Sequence, residues 1–183
     1  MKLLGDKALT PGAAGRPAVA WPAESRLEPA HDRSTLVLGL HPECPCSRAT
    51  IEELNSLLAQ SGDAVRVFAV FEDAGPEAGP MESSRLWRDA TLLPGVRCVA
   101  DRDGAEARRF ALKTSGELRV YSADGALRFR GGITGSRGHV GENPGRLAAR
   151  AAIRGEFPKD GSVVVTPAFG CALSDEDTVE VAP

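Results

Sequence analysis

Runs of consecutive apolar residues alternate along this chain with stretches of helical spacing. "STLVLGL" (34–40) is short and apolar, with Leu36, Leu38 and Leu40 alternating around Val37 and Gly39, as in a buried strand. After it, Ile51, Leu54 and Leu58 recur at helical spacing and Leu57 widens the stripe, while Glu52, Glu53 and Asn55 fall off it. This predicts an amphipathic helix ending near Ser61-Gly62. "AVRVFAVF" (64–71) reads as a second buried strand, "DAGPEAGP" as a loop, "ESSRLWRDATLL" (82–93) as a helix and "VRCVAD" (96–101) as a short strand. "GAEARRFAL" (104–112) predicts about two helical turns. "LRVYSADGALRFRGGI" (118–133) has two alternating runs joined at Asp124-Gly125, a hairpin signature. "GRLAARAAI" (145–153) predicts a last helix with Pro144 in its first turn, and "SVVVT" (162–166) one more strand. Strands alternating with helices imply an α/β fold, a central mixed sheet flanked by helices on both faces. Residues 1–30 are rich in Pro, Gly and Ala and read as an extended arm or linker. The domain then spans 31–155, and 156–183 forms a tail with a polar, acidic end.

Composition narrows the function. The 183 residues are 42% hydrophobic and 26% charged, enough for one soluble core with extensions. A net charge of −3 gives no basic stripe for nucleic acid. No apolar run reaches the ~18 residues of a membrane span. The first 25 residues lack the apolar core of a signal peptide, so an exported form would have lost its leader or anchor from this chain. Four cysteines, Cys44, Cys46, Cys98 and Cys171, are too few for a disulfide scaffold, which marks the local pair at 44 and 46 as chemical.

That pair lies in "HPECPCSRATIEEL" (41–54). Pro45 suits the first helical position, where its missing N–H costs nothing. Cys44 then becomes the N-cap, facing unpaired backbone N–H groups and the positive end of the helix dipole. A thiolate there is favoured, and its pKa should fall below the free value of ~8.5. Ser47 adds a hydroxyl donor. This is the pattern of a nucleophilic, redox-active cysteine.

Aligned from Cys44, "CPCSRATIEEL" resembles the active-site helix of the thioredoxin-like superfamily, C-x-x-C followed by a basic residue and an amphipathic helix. The element order resembles the bacterial envelope branch of thiol–disulfide oxidoreductases. "HPECPCSRA", "GGITGSRGH" and "FGC" resemble a RedB-like group within it. The resemblance covers roughly residues 31–155. It implies a thioredoxin-like fold, exchange with protein thiols or a redox partner protein, and an envelope or periplasmic location. Two positions depart from the pattern. Ser47 stands where the second active-site cysteine would be, with Cys46 one residue earlier. No proline stands near Ser115-Gly116, where the fold places its cis-proline.

Resolution of a mixed disulfide at Cys44 is therefore left to Cys46, to Cys171 or to an external thiol. Positions i and i+2 of a helix point about 200° apart, whereas a disulfide needs Cβ atoms ~3.5–4.5 Å apart. A Cys44–Cys46 bond requires a non-helical Cys44 and would be strained; a tail folded over the helix start would bring Cys171 with less strain. No cofactor is required for that chemistry. The competing class is a non-enzymatic Cu(I) or Zn carrier. His41, Cys44 and Cys46 give H-x-x-C-x-C, and Cys171 or His139 would complete a soft site. A third class is a redox-silent interaction module with an ordinary thiol at Cys44. Other residues read more plainly: Cys98 as a small buried hydrophobe, Arg48 as a solvated helix residue, Trp87 as core, Trp21 as an anchor docking the arm, His139 as part of a glycine-rich loop. His41 either tunes the thiolate or ends a strand. Asp101 and Asp103 form a turn, since D-x-D-G here lacks the later ligands of a calcium loop.

Overall fold

The computed structural model describes residues 8–62, 65–72 and 79–173. The first seven residues of the arm, most of the 73–80 loop and the acidic end of the tail (174–183) lie outside them. The elements are β1 (Ser34–Leu40), α1 (Pro45–Ser61), β2 (Val65–Glu72), a 3-10 turn (Met81–Ser83), α2 (Arg85–Thr91), β3 (Val96–Asp101), α3 (Ala105–Arg109), β4 (Glu117–Tyr121), β5 (Leu127–Gly132), α4 (Pro144–Ile153) and β6 (Val164–Val165). They form one six-stranded mixed sheet in the order β3-β2-β1-β4-β5-β6. β1, β2 and β3 are parallel, β4 runs antiparallel to both β1 and β5, and β6 lies parallel to β5.

Side chains alternate across a strand, so each strand feeds two cores. Leu36, Leu38 and Leu40 of β1 join Val67, Ala69 and Phe71 of β2 beneath α1, α2 and α4. Val37, Phe68, Val70, Tyr121 and Leu127 face the other way. Among the described residues, the second face has the helix α3, of five residues. The arm and the tail cover the rest: Leu27 and Leu173 are buried there, and Trp21 packs edge-on against Phe110 and Tyr121 at 4.8 and 5.0 Å. Ser25 and Arg26 of the arm bind the buried Glu106 carboxylate. Burial pushes that carboxyl up, but Ser25, the Arg26 backbone N–H and Arg109 outweigh it and leave its pKa below the usual value.

Three expected elements are shorter than the sequence suggests. The 82–93 helix breaks at Ser84, whose hydroxyl accepts the Trp87 N–H and caps α2. The 104–112 helix stops at Arg109, and the 162–166 strand pairs only at Val164–Val165. The sheet edge also changes one burial assignment: β3 is an outer strand, so Cys98 is half-buried rather than buried. Burial still pushes its thiol up to about 11. Glu53, expected off the apolar stripe, is fully buried because Arg146 of α4 pairs with it at 2.8 Å.

Candidate functional site

The site is built at the C-terminal end of β1. Cys44 has extended angles (φ −75°, ψ 117°), and Pro45 opens α1. Its sulfur makes no side-chain cap bond. Cys44 is 2% exposed. The tail supplies the other half. After β6, the Thr166 N–H donates to Arg130 (3.1 Å) and the Gly132 N–H to Pro167 (3.3 Å). The tail then crosses to the Lys113–Ser115 strip, where the Ser115 N–H donates to Cys171 (2.8 Å) and the Leu173 N–H to Lys113 (2.9 Å). Thr114 and Ala172 form an antiparallel bridge. The result is a separation of 2.9 Å between the Cys44 and Cys171 sulfurs, both as free thiols.

Gly170 makes that approach possible. A Cβ at Gly170 would lie 1.8 Å from the Ser115 carbonyl oxygen, so no side chain fits while the tail is seated. Gly170→Ala should lift the tail, at a cost of about 1–3 kcal/mol in stability. The Cys44 thiol would lose its Cys171 donors, and its alkylation profile should shift to higher pH. An unchanged profile for the variant would show that the tail does not set the reactivity of Cys44.

The strip is held from beneath by a buried ion pair. Glu117 accepts the Lys113 N–H at 2.6 Å and the Thr114 N–H at 3.2 Å. Arg119, with no solvent exposure, pairs with Glu117 at 3.3 Å and donates to the Phe110 and Ala111 carbonyls at 3.1 and 2.6 Å. Ala111 has φ +48°, a conformation costly for a residue with a Cβ, and the Arg119 bond holds it there. Ser115 occupies the position read above as the fold's proline site. Its hydroxyl accepts the His41 N–H (2.9 Å) and lies 2.7 Å from the Ser47 hydroxyl, tying together the strip, the end of β1 and α1.

The two sulfurs titrate in opposite directions. Burial pushes the Cys44 thiol up, but the neighbouring Cys171 thiol and backbone N–H, the Ser47 hydroxyl and the Cys46 N–H outweigh it, so its pKa falls below the ordinary thiol value. Cys171 is pushed up to about 11 by burial, then by its bond to Cys44 and by the charges of Cys44 and Cys46. Cys46 is raised by burial and by Cys44, with Arg137 acting the other way. Cys46 lies in the first turn of α1, next to a Cys44 that is extended rather than helical. The structure therefore brings Cys171 against Cys44 at the start of α1, with Cys46 and Ser47 in the first turn of that helix.

The metal set is not assembled in the same way. Among the described residues, no three His, Cys, Asp or Glu side chains are grouped to hold an ion. The His41 Nδ1 accepts the Glu43 N–H at 3.2 Å, and His139 is exposed. A shallow groove of 180 Å³ reaches Cys44 past Pro42, Glu43, Pro45, Arg48, Arg85, Leu86 and Asp89. A larger cavity of 380 Å³ lies by Arg33, Leu58 and Pro94, beyond the opposite end of β1 from the sulfurs.

Ser115 and Gly170 were not legible as site residues. Each acts through a tertiary approach, although Gly170 lies within "FGC".

No protein-family model and no curated protein matches the chain. Solved structures do. An uncharacterized conserved protein from Geobacillus kaustophilus superposes with a TM-score of 0.64 at 19% identity, covering 91% of this chain and 92% of that one. The fold is thioredoxin-like. A hypothetical protein from Sinorhizobium meliloti gives 0.58 at 17% identity, with 91% and 94% covered. A secreted Mycobacterium tuberculosis disulfide oxidoreductase homologous to E. coli DsbE gives 0.46 at 15% identity, with 66% and 81% covered. At these identities the likeness is one of fold. Within this thioredoxin-like fold, the second cysteine near Cys44 comes from the tail rather than from α1. No helix among the described residues is long and apolar enough to cross a membrane.

Proposed function

We propose that the protein exchanges thiols and disulfides with protein partners, with Cys44 attacking and Cys171 resolving. One observation carries this reading: two free thiols with sulfurs 2.9 Å apart, one pKa lowered and the other raised to about 11. The low-pKa sulfur is the nucleophile and the high-pKa sulfur holds its proton in reserve. The Cys44 thiolate attacks a partner disulfide, forms a mixed disulfide and releases one partner thiolate. Cys44 is then no longer an anion. Its charge and its bond no longer hold the Cys171 proton, so only burial and Cys46 still oppose ionisation. Cys171 gives its proton to solvent and attacks the Cys44 sulfur. The second partner thiolate leaves, and the chain carries a Cys44–Cys171 disulfide while the partner holds two thiols. Reversal oxidises a dithiol partner. Electrons pass between sulfurs alone, and no cofactor is needed.

Ser47 stabilises the thiolate and cannot resolve it, because a hydroxyl forms no disulfide. Cys46 is a competing thiol, with its pKa raised by the same neighbour. The RedB-like likeness of "HPECPCSRA", "GGITGSRGH" and "FGC" supports an envelope location, where an oxidising environment suits a resolving disulfide. Gentle oxidation, digestion without reduction and linkage mapping test the assignment. A Cys44–Cys171 peptide is the expected product. A Cys44–Cys46 peptide, or four free thiols, would overturn it; in the second case Cu(I) and Zn titration against a chelator becomes the next measurement.

A further inference from the structure

The arm fastens the tail that carries Cys171. Between its attachments to β5 and to the Lys113–Ser115 strip, the tail runs through Ala168 and Phe169, 3% and 8% exposed. The arm lies against this stretch. The Gly12 N–H donates to the Ala168 carbonyl at 2.9 Å, and the Thr114 hydroxyl donates to the Ala13 carbonyl at 2.8 Å. Arg130 of β5 holds both segments: its carbonyl accepts the Thr166 N–H of the tail at 3.1 Å, and its guanidinium donates to the Gly15 carbonyl at 2.7 Å. A Cβ at Gly12 would lie 2.2 Å from the Thr114 hydroxyl oxygen, and one at Gly15 would lie 1.7 Å from the Ala111 carbonyl oxygen. Neither glycine has a positive φ, so it is the close approach that excludes a side chain there. Further along, the arm is tied to the β4–β5 hairpin, where the Leu127 N–H donates to Val19 at 2.8 Å and the Trp21 N–H to Gly125 at 2.9 Å.

Attack on a partner disulfide requires that its sulfur reach Cys44. With the tail seated, Cys44 is 2% exposed, and the groove that reaches it has a volume of 180 Å³. Resolution requires the opposite condition, the tail in place with its sulfur 2.9 Å from Cys44. The same segment must leave for the first step and return for the second. We infer that residues 12–15 of the arm are the latch of this movement: Gly12, Gly15 and Thr114 position the Cys171 tail over Cys44, and a protein disulfide is attacked when arm and tail lift. This rests on the exchange reading above. Thr114 couples the two segments, because its backbone bridges to Ala172 while its hydroxyl holds the arm. Loosening the latch acts on the two steps with opposite sign. It uncovers Cys44 for the first attack, and it slows the return of Cys171 once a partner segment has displaced the tail. Contacts that only stabilised the fold would not move the two steps in opposite directions.

The test separates the two steps. The reduced full-length protein is mixed with an unstructured peptide whose single cysteine is joined to thionitrobenzoate. The Cys44 thiolate attacks the peptide sulfur, the peptide's disulfide breaks, and thionitrobenzoate leaves as a coloured thiolate while Cys44–S–S–peptide forms. Cys171 then gives its proton to solvent and attacks the Cys44 sulfur. The peptide thiolate leaves and takes a proton from water, and the Cys44–Cys171 bond closes. Colour reads the first step and intact mass reads the second. Both are measured on the high-pH plateau of the first step, where Cys44 is a thiolate in every variant. Thr114→Val keeps the side-chain shape and removes the bond to Ala13. The first step should quicken about fivefold and the second slow about fivefold, the worth of one hydrogen bond. Gly15→Ala should move each step about tenfold or more in the same directions. If Gly15→Ala does not fold, Thr114→Val decides alone. Any result other than a faster first step with a slower second step overturns the inference. If the wild-type protein never closes the Cys44–Cys171 bond, the exchange reading itself fails. If the bond closes and the variants behave as the wild type, the exchange reading stands without the latch.

Discussion

A Cys171→Ser variant should accumulate a stable mixed disulfide at Cys44, and Cys44→Ser should form none. The first variant keeps a hydroxyl donor beside Cys44, so the attacking thiolate survives. What it loses is the thiol held 2.9 Å from the sulfur to be attacked. Well-oriented intramolecular groups act at effective molarities of ~10⁵ M or more, far above any external thiol. The lifetime of the adduct should therefore rise on the order of 10³-fold or more against millimolar external thiol. Intact mass measured over time after addition of a disulfide reads this directly. An adduct that clears from Cys171→Ser as fast as from the wild type would mean that Cys46 or solvent thiols resolve it. In Cys44→Ser, oxygen replaces the one sulfur with a lowered pKa, and the remaining thiols near the site, Cys46 and Cys171, both have raised values. Adduct formation at neutral pH should be lost, and a persistent adduct on Cys46 or Cys171 would assign the nucleophile elsewhere.

The largest stability effect is expected at Arg119. Replacing it with Met leaves the Glu117 carboxylate, 2% exposed, without its cation and frees the carbonyls of Phe110 and Ala111. Breaking one partner of a buried ion pair typically costs about 3–5 kcal/mol. The cost should appear as a lower urea midpoint with an unchanged slope. Glu117→Gln in the same chain removes the orphaned charge and should recover part of the loss. The consequence extends to function. Arg119 holds Ala111 at positive φ, Glu117 holds the N–H groups of Lys113 and Thr114, and that strip seats the tail. The Cys44–Cys171 approach should weaken with it. A loss below about 1 kcal/mol would show that the pair is replaceable by apolar packing, as some buried pairs are.

Local chemistry made one half of the site legible. Pro45 fixes the start of α1, the start of α1 makes Cys44 the N-cap, and the N-cap is where a thiolate is stabilised. The alternating strands and the 51–58 stripe were equally readable, because periodicity reports burial one element at a time. Glu53 escaped that logic, since a charged residue off the stripe is buried only when a partner such as Arg146 arrives from another helix. Cys98 escaped it because strand order, which periodicity does not report, places β3 at the edge.

The sequence by itself determined the fold class, the placing of Cys44 at the start of α1 and the fact that Ser47 could not serve as its disulfide partner. The tertiary structure decided how Cys171 reaches Cys44. It is 127 residues away in the chain, and its approach depends on three contacts with no local signature: Gly170 flush on Ser115, the Glu117–Arg119 pair under the strip, and Leu173 in the second core. Sequence patterns encode what each segment buries, and these contacts depend on which segments meet. Among the described residues, that second face of the sheet has only the five-residue α3 as its own helix, and burial of the remaining apolar surface brings the arm and the tail, and with them the second sulfur, into place.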